Sequence, residues 1–283
     1  MSLQSRRDFF KNSGAGIAAG SLFISGTSCT EKKHIYQPDG FKRLNLGMAS
    51  YTLRKFALDD ALTMTNRLGL KHIAFKDFHL SLDSSVDEIQ AAAAKTRDAG
   101  LDLYGCGVVY MQNEQEIDRV FSYAQAAGMK MIIGVPEHAL LDQVEGKVKE
   151  TGIILAIHNH GPGDQRYSAP ADAYERIKNR DPRMGLCLDI GHVQRIGLDP
   201  AAQAELYFDR LFDVHIKDVS DSTAEGTTVE IGRGVIDIPK FLATLLRLGY
   251  KGNVSLEYEK DEDDPLPGSA ESIGYIKGVL AVI

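Results

Sequence analysis

Concentrated positive charge is the first thing this chain lacks. Its 283 residues carry 32 Lys and Arg against 39 Asp and Glu, a formal net charge of −7, and no cluster of basic residues follows the N-terminal segment. Binding a nucleic-acid backbone needs such a cluster, so the balance argues against nucleic acid as the main partner. Cysteine is nearly absent, with three residues. Cys106 and Cys187 lie inside apolar runs and read as buried thiols, although an oxidising compartment would permit a disulfide where geometry allowed. The Gly/Ala-rich stretch 14–26 is too short to span a membrane as a mature helix. A Gly-rich phosphate turn is missing too: the first apolar run leads into Ser50-Tyr51-Thr52-Leu53, which argues against an open doubly wound nucleotide fold.

A hydrophobic fraction of 43% with 25% charged residues belongs to a globular protein with a sizeable core. The length suits one α/β barrel, which takes about 250 residues. Residues 1–30 stand apart. Ser5-Arg6-Arg7-Asp8-Phe9-Phe10-Lys11 is a twin-arginine pattern, read as an export signal that sends the folded protein to the periplasm. Cys29 after Gly26-Thr27-Ser28 loosely matches a lipoprotein processing site, so the membrane is a partner only through the signal or a lipid there. A polar linker, residues 31–43, then leads to the barrel, residues 44–283.

In that body, short apolar runs alternate with stretches of helical spacing. The runs are 44–49, 72–75, 101–106, 130–135, 153–157, 184–188, 211–216 and 253–256. The helical stretches are 58–68, 86–99, 114–127, 140–151, 170–178, 200–209, 239–248 and 269–282, several ending in Gly and several opening on Pro, as helix ends require. Eight such units predict a closed parallel (β/α)8 TIM barrel.

Four segments of the second half carry a metal-type ligand where an apolar run gives out: His158 in AIHNHG, Asp189 in CLDIGH, His215 in DVHIKD and Glu257 in SLEYE. A parallel barrel gathers successive strand ends at one mouth, so these four can converge on one ion. Two imidazoles and two carboxylates suit Mn, Zn, Co or Fe better than Ca, with Mg also admissible. Near the same mouth, His192, Lys217, Arg233, Lys76 and Tyr51 are candidates to bind substrate, and Asp218 either binds substrate or pairs with Lys217. The 219–235 connection is long, and long mouth loops are usually functional.

The LDIGH, HIKD, GRGVID and SLEYE segments resemble the sugar phosphate isomerase/epimerase group of xylose-isomerase-like TIM barrels, over essentially all of 44–283. The resemblance implies a metal-dependent enzyme abstracting a proton next to a carbonyl, with Asp189, His215 and Glu257 in the ligand set. It departs at the fifth strand, where relatives read L-E-N-H and this chain reads Ile157-His158-Asn159-His160. Ketose epimerases of the group use two glutamates on opposite faces of the substrate. Here Glu257 remains as the base, and the second proton carrier is His160, His158, or none. Isomerisation or epimerisation of a sugar is therefore the default, with a lyase or dehydratase acting on a keto-sugar or 3-keto-glycoside as the alternative. An endonuclease IV-like phosphodiesterase and a non-catalytic sugar-binding barrel stand behind both, since 106–108 offers no His and 219–232 no D-x-H element.

Overall fold

A computed structural model describes residues 44–283 of the chain. The stretches expected to be an export signal and a linker, with Cys29, lie outside them. Eight strands close into a parallel barrel: β1 (Asn45–Ala49), β2 (His72–Phe75), β3 (Asp102–Met111), β4 (Met131–Pro136), β5 (Ile154–His158), β6 (Met184–Asp189), β7 (Leu211–Ile216) and, as the eighth stave, β10 (Asn253–Leu256). The ring runs β1-β10-β7-β6-β5-β4-β3-β2, so every strand pairs with its sequence neighbours and the first pairs with the last.

Helices α1 (Leu58–Arg67), α2 (Val86–Asp98), α3 (Glu114–Ala127), α4 (Leu141–Thr151), α5 (Pro170–Ile177), α6 (Ile190–Arg195), α7 (Pro200–Leu206), α8 (Ile238–Leu248) and α9 (Leu266–Leu280) connect the strands. Their apolar faces bury against the sheet in one continuous layer that includes Ile117, Phe121, Val144, Phe241 and Leu245. A much smaller apolar cluster, with Ala74, Met131, Ile133, Ala156 and Cys187, fills the barrel interior. Gly128 (φ 70°) and Gly249 (φ 71°) end α3 and α8 in the left-handed region, where a side chain is strained.

The barrel predicted from alternation is the one observed, and the strand ends fall within a residue or two of expectation with one exception. The third strand continues to Met111 rather than stopping near Cys106, because its pairing with β4 shifts register between Gly107 and Val109 and then resumes. That extension carries Tyr110 up to the mouth. Two further elements have no counterpart in the sequence reading: the short α6 directly after β6, and a hairpin of β8 (Asp218–Val219) with β9 (Thr228–Val229) inside the seventh connection. Cys106 and Cys187 are buried and unbonded. No helix among the described residues is long and apolar enough to cross a membrane.

Candidate active site

Strand register decides which side chains meet. His158 ends β5 and Asp189 ends β6, where it pairs with His215 of β7. Glu257 follows β10 directly and donates its backbone N–H to Ile216 O at 3.1 Å. All four side chains are buried, and one ligand atom from each lies within 4.8 Å of the other three.

Their orientation is set by partners on the outer side. Asp189 Oδ1 accepts the backbone N–H of His192 at 2.9 Å and caps α6, which turns Oδ2 inward. Asn159 fixes the β5 and β6 ends together, accepting from Asp189 N at 3.0 Å and donating to Asp189 O at 3.1 Å. His215 Nδ1 donates to Glu257 Oε2 at 3.1 Å, leaving Nε2 facing the centre.

His158 Nε2 and His215 Nε2 are buried without a hydrogen-bond partner, and Asp189 Oδ2 lies 3.3 Å from His158 Nε2 and 2.9 Å from the Lys217 ammonium. Buried polar atoms are seldom left so. Donor atoms around a four-coordinate ion bound at about 2.0 Å stand about 3.3 Å apart, so the set fits a divalent ion. His158, Cys187 and His215 form a second possible group, but burial pushes the Cys187 thiol well up while Asp189 is held ionised.

The charge balance has one unexpected member. Lys217, buried, places Nζ 2.8 Å from Glu257 Oε2, 2.9 Å from Asp189 Oδ2 and 2.5 Å from Glu259 Oε1. Burial raises the Glu257 carboxyl, but His215 and Lys217 outweigh it and hold the group well below the usual carboxylate range. Burial likewise opposes the charge on His215, and the Glu257 carboxylate overcomes it, lifting the imidazole to about 9. His158 has no such support: burial dominates and pushes it down to about 3.

The two histidines therefore act on stability with opposite sign. Unfolded histidines bind a proton near 6.5. Folded His158 refuses it until about 3, so metal-free protein loses stability as pH falls below 6.5, by up to about 1.4 kcal/mol per unit. The His215 contribution is complete below 6.5 and is lost as pH rises through about 9. Urea unfolding of the metal-free protein at pH 7 and pH 5 should show the acid loss, and His158→Gln should reduce it, leaving the share of His79, His160 and His192, which burial also lowers. A divalent ion held by the four residues should raise Tm, by the equivalent of about 2.7 kcal/mol at a hundredfold excess over Kd. His215→Ala should abolish that rise in a thermal scan.

A cleft of about 300 Å³ opens over this centre, lined by Tyr51, Lys76, Val108, Tyr110, His158, His160, His192, Glu257 and Glu259. His160 packs against His158 at 4.6 Å between ring centroids and accepts or donates a 3.1 Å hydrogen bond with Tyr110 OH through Nε2. Tyr51 and Lys76 reach the cleft, with the Lys76 ammonium also bonded to Val108 O. His192 lines the cleft 5.9 Å from both His158 and His160. Lys217 sits beneath it, in the ligand centre itself.

Arg233 is not brought to the cleft: exposed, it forms a bidentate pair with Glu271 at 2.5 and 2.7 Å. Asp218 neither lines the cleft nor pairs with Lys217. Buried under the seventh connection, it accepts the backbone N–H groups of Val219, Gly232, Gly234 and Ile236 at 2.9–3.2 Å. A Cβ at Gly234 would stand 2.2 Å from Asp218 Oδ1, and Asp237 caps α8 through Lys240 N. The GRGVID segment is thus the scaffold of a loop.

Tyr110 and Glu259 were not among the sequence candidates. Glu259 had a signal, since it stands two residues beyond Glu257 and an extended chain turns such positions to the same side. Tyr110 had none, because it depends on the register shift in β3.

Comparison with known proteins agrees with this architecture. The family profile described as xylose isomerase-like TIM barrel matches residues 54–279. An inosose dehydratase of Serratia proteamaculans is 31% identical over 164 residues, 50% of this chain and 53% of that protein, so the match spans about half the length of each. Among solved structures, an uncharacterized protein of Parabacteroides distasonis superposes with a TM-score of 0.67 at 25% identity, covering 83% of this chain and 99% of that one. The 3-keto-D-glucoside 4-epimerase of E. coli superposes at 0.66 with 16% identity, covering 83% and 99%, and shows likeness of fold alone.

Proposed function

The chain belongs to the xylose isomerase-like TIM barrel family, and on that footing we propose that it is a metal-dependent enzyme that removes the proton beside the carbonyl of a keto-sugar. The observation that carries this is Glu257, an ionised carboxylate at the floor of a cleft with three neighbouring ligands converging on the same point. His158, Asp189, His215 and Glu257 would hold the divalent ion, which as a Lewis acid polarises a substrate carbonyl.

The protein's own groups divide the remaining work. Glu257 takes the proton, kept in the basic form by the His215 and Lys217 contacts that also fix its position. Across the cleft the His160–Tyr110 pair can deliver or accept a proton: burial holds His160 below its usual value, so it acts near neutrality as a base or, through Tyr110 OH, as one end of a relay. Lys76 and His192 stand where hydroxyls of a bound sugar would lie.

The completing step depends on what faces Glu257. Symmetric epimerisation with two carboxylates is not available, because the fifth strand presents His158. An acid on the other side suits elimination equally: the α-proton goes to Glu257, the electron pair forms a new C=C, the β C–O bond breaks, and the departing oxygen takes a proton from the His160–Tyr110 pair. The likeness to an inosose dehydratase supports this second reading.

Metal-loaded protein incubated in deuterated water with ketoses and 3-keto-glycosides tests both. Deuterium beside the carbonyl of recovered sugar supports isomerisation or epimerisation, and an unsaturated product supports elimination. Absence of both outcomes across the panel overturns the proposal. The twin-arginine pattern supports export to the periplasm, and cell fractionation of the full chain against an Arg6→Lys, Arg7→Lys variant should show the variant retained inside.

A further inference from the structure

A second cavity, about 470 Å³, adjoins the cleft, and His192 and Glu259 contribute to the walls of both. Its other walls come from α6, through Gly191 and Arg195, and from the hairpin residues 226–229. Each cavity is of the size that small ligands occupy, roughly 300–1,000 Å³. His158 and Glu257 line the first cavity and not the second, which meets the ligand centre only through Lys217.

Its chemistry selects the occupant. The ammonium groups at its edge are already engaged by carboxylates: Lys217 by Glu257 and Glu259, and Lys260 by Glu230 at 2.7 Å. Arg195 donates to Ala224 O at 2.6 Å. A phosphate would find both lysines neutralised, Arg195 alone keeping a buried Nε without a partner, which a sugar oxygen can also fill, and an apolar group would desolvate hydroxyls and charges without replacing their hydrogen bonds. A polyhydroxylated neutral ring can donate to Glu259 and both donate to and accept from Thr227 and Thr228.

We propose that this cavity is a subsite for a second sugar ring, so that the substrate is a neutral glycoside: the keto ring lies over the four ligands and the ring linked to it lies against α6 and the hairpin. This rests on the reading of the first cleft as a keto-sugar site. Asp218 gains a purpose from it, since the carboxylate that organises the seventh connection also holds the wall of the subsite in place.

Binding measurements on the full chain, independent of turnover, test the assignment. Trehalose, maltose and cellobiose are compared with methyl glucoside and glucose 6-phosphate by calorimetry and by saturation-transfer NMR. At least one disaccharide should bind tenfold or more tightly than methyl glucoside, with saturation reaching both rings. Thr228→Phe, which narrows the cavity, should reduce that ratio to below twofold. Because the chain contains no tryptophan, Thr227→Trp places a single fluorophore at the subsite. Its emission should respond to the disaccharide and not to methyl glucoside, which keeps the test sound if the Phe variant fails to fold.

Equal affinity for one ring and two, a preference for glucose 6-phosphate, or a tryptophan that ignores the disaccharide would each overturn the subsite. Loss of deuterium exchange with two-ring binding intact would overturn the chemistry proposed above and leave the subsite standing.

Discussion

Glu257→Gln is expected to slow deuterium uptake into a keto-sugar about a thousandfold, within the range by which a positioned base accelerates proton transfer. The carboxylate is ionised at neutral pH, and so free to accept a proton, because His215 and Lys217 outweigh the effect of burial. The amide keeps the shape and has no basic oxygen. It is also a weaker ligand, so the comparison is made at saturating metal, with occupancy read by calorimetry. A variant that loads metal and binds sugar but exchanges as fast as wild type would remove Glu257 from the base role. If wild type and variant bind metal and sugar alike and neither exchanges, the chain is a sugar-binding barrel without catalysis.

Asp218→Ala should cost about 4 kcal/mol of stability. One buried carboxylate there satisfies four backbone donors, Oδ1 taking Val219 and Ile236 and Oδ2 taking Gly232 and Gly234. Each buried donor left unpaired costs about 1–3 kcal/mol, and neighbours sharing one acceptor do not add fully. Asp218→Asn retains one acceptor oxygen and should lose roughly half as much. Urea unfolding at constant m value reads both. A change under 1 kcal/mol for the alanine variant would mean that the loop is held by other contacts.

Local periodicity made most of this fold legible. Alternating apolar runs and amphipathic stretches, punctuated by helix-ending glycines and helix-opening prolines, are properties of a few consecutive residues, and they survive intact into the barrel. The four ligands were legible for a related reason: a closed parallel sheet brings strand C-termini together, so a ligand type at each strand end is a spatial statement written in one dimension. His158 could be seen as a departure from the family pattern, and its position at the centre follows from being the last residue of β5.

Long-range register and burial were not legible. Asp218 in the HIKD segment and Arg233 in the GRGVID segment sit in motifs that resemble functional sequence, yet Arg233 pairs with Glu271 on α9 and Asp218 ties down its own loop. Both partners are set by packing across many residues. Tyr110 reaches the mouth only because β3 slips against β4.

By itself, then, the sequence determined the barrel, its order and the ligand types at its mouth, because each depends on spacing between near neighbours. Only the tertiary structure decided that Lys217 enters the ligand centre, that Glu257 raises the His215 imidazole while burial lowers His158, and that a second cavity opens beside the first. Those follow from distances between strands and from how far each group is removed from water, which no local pattern encodes.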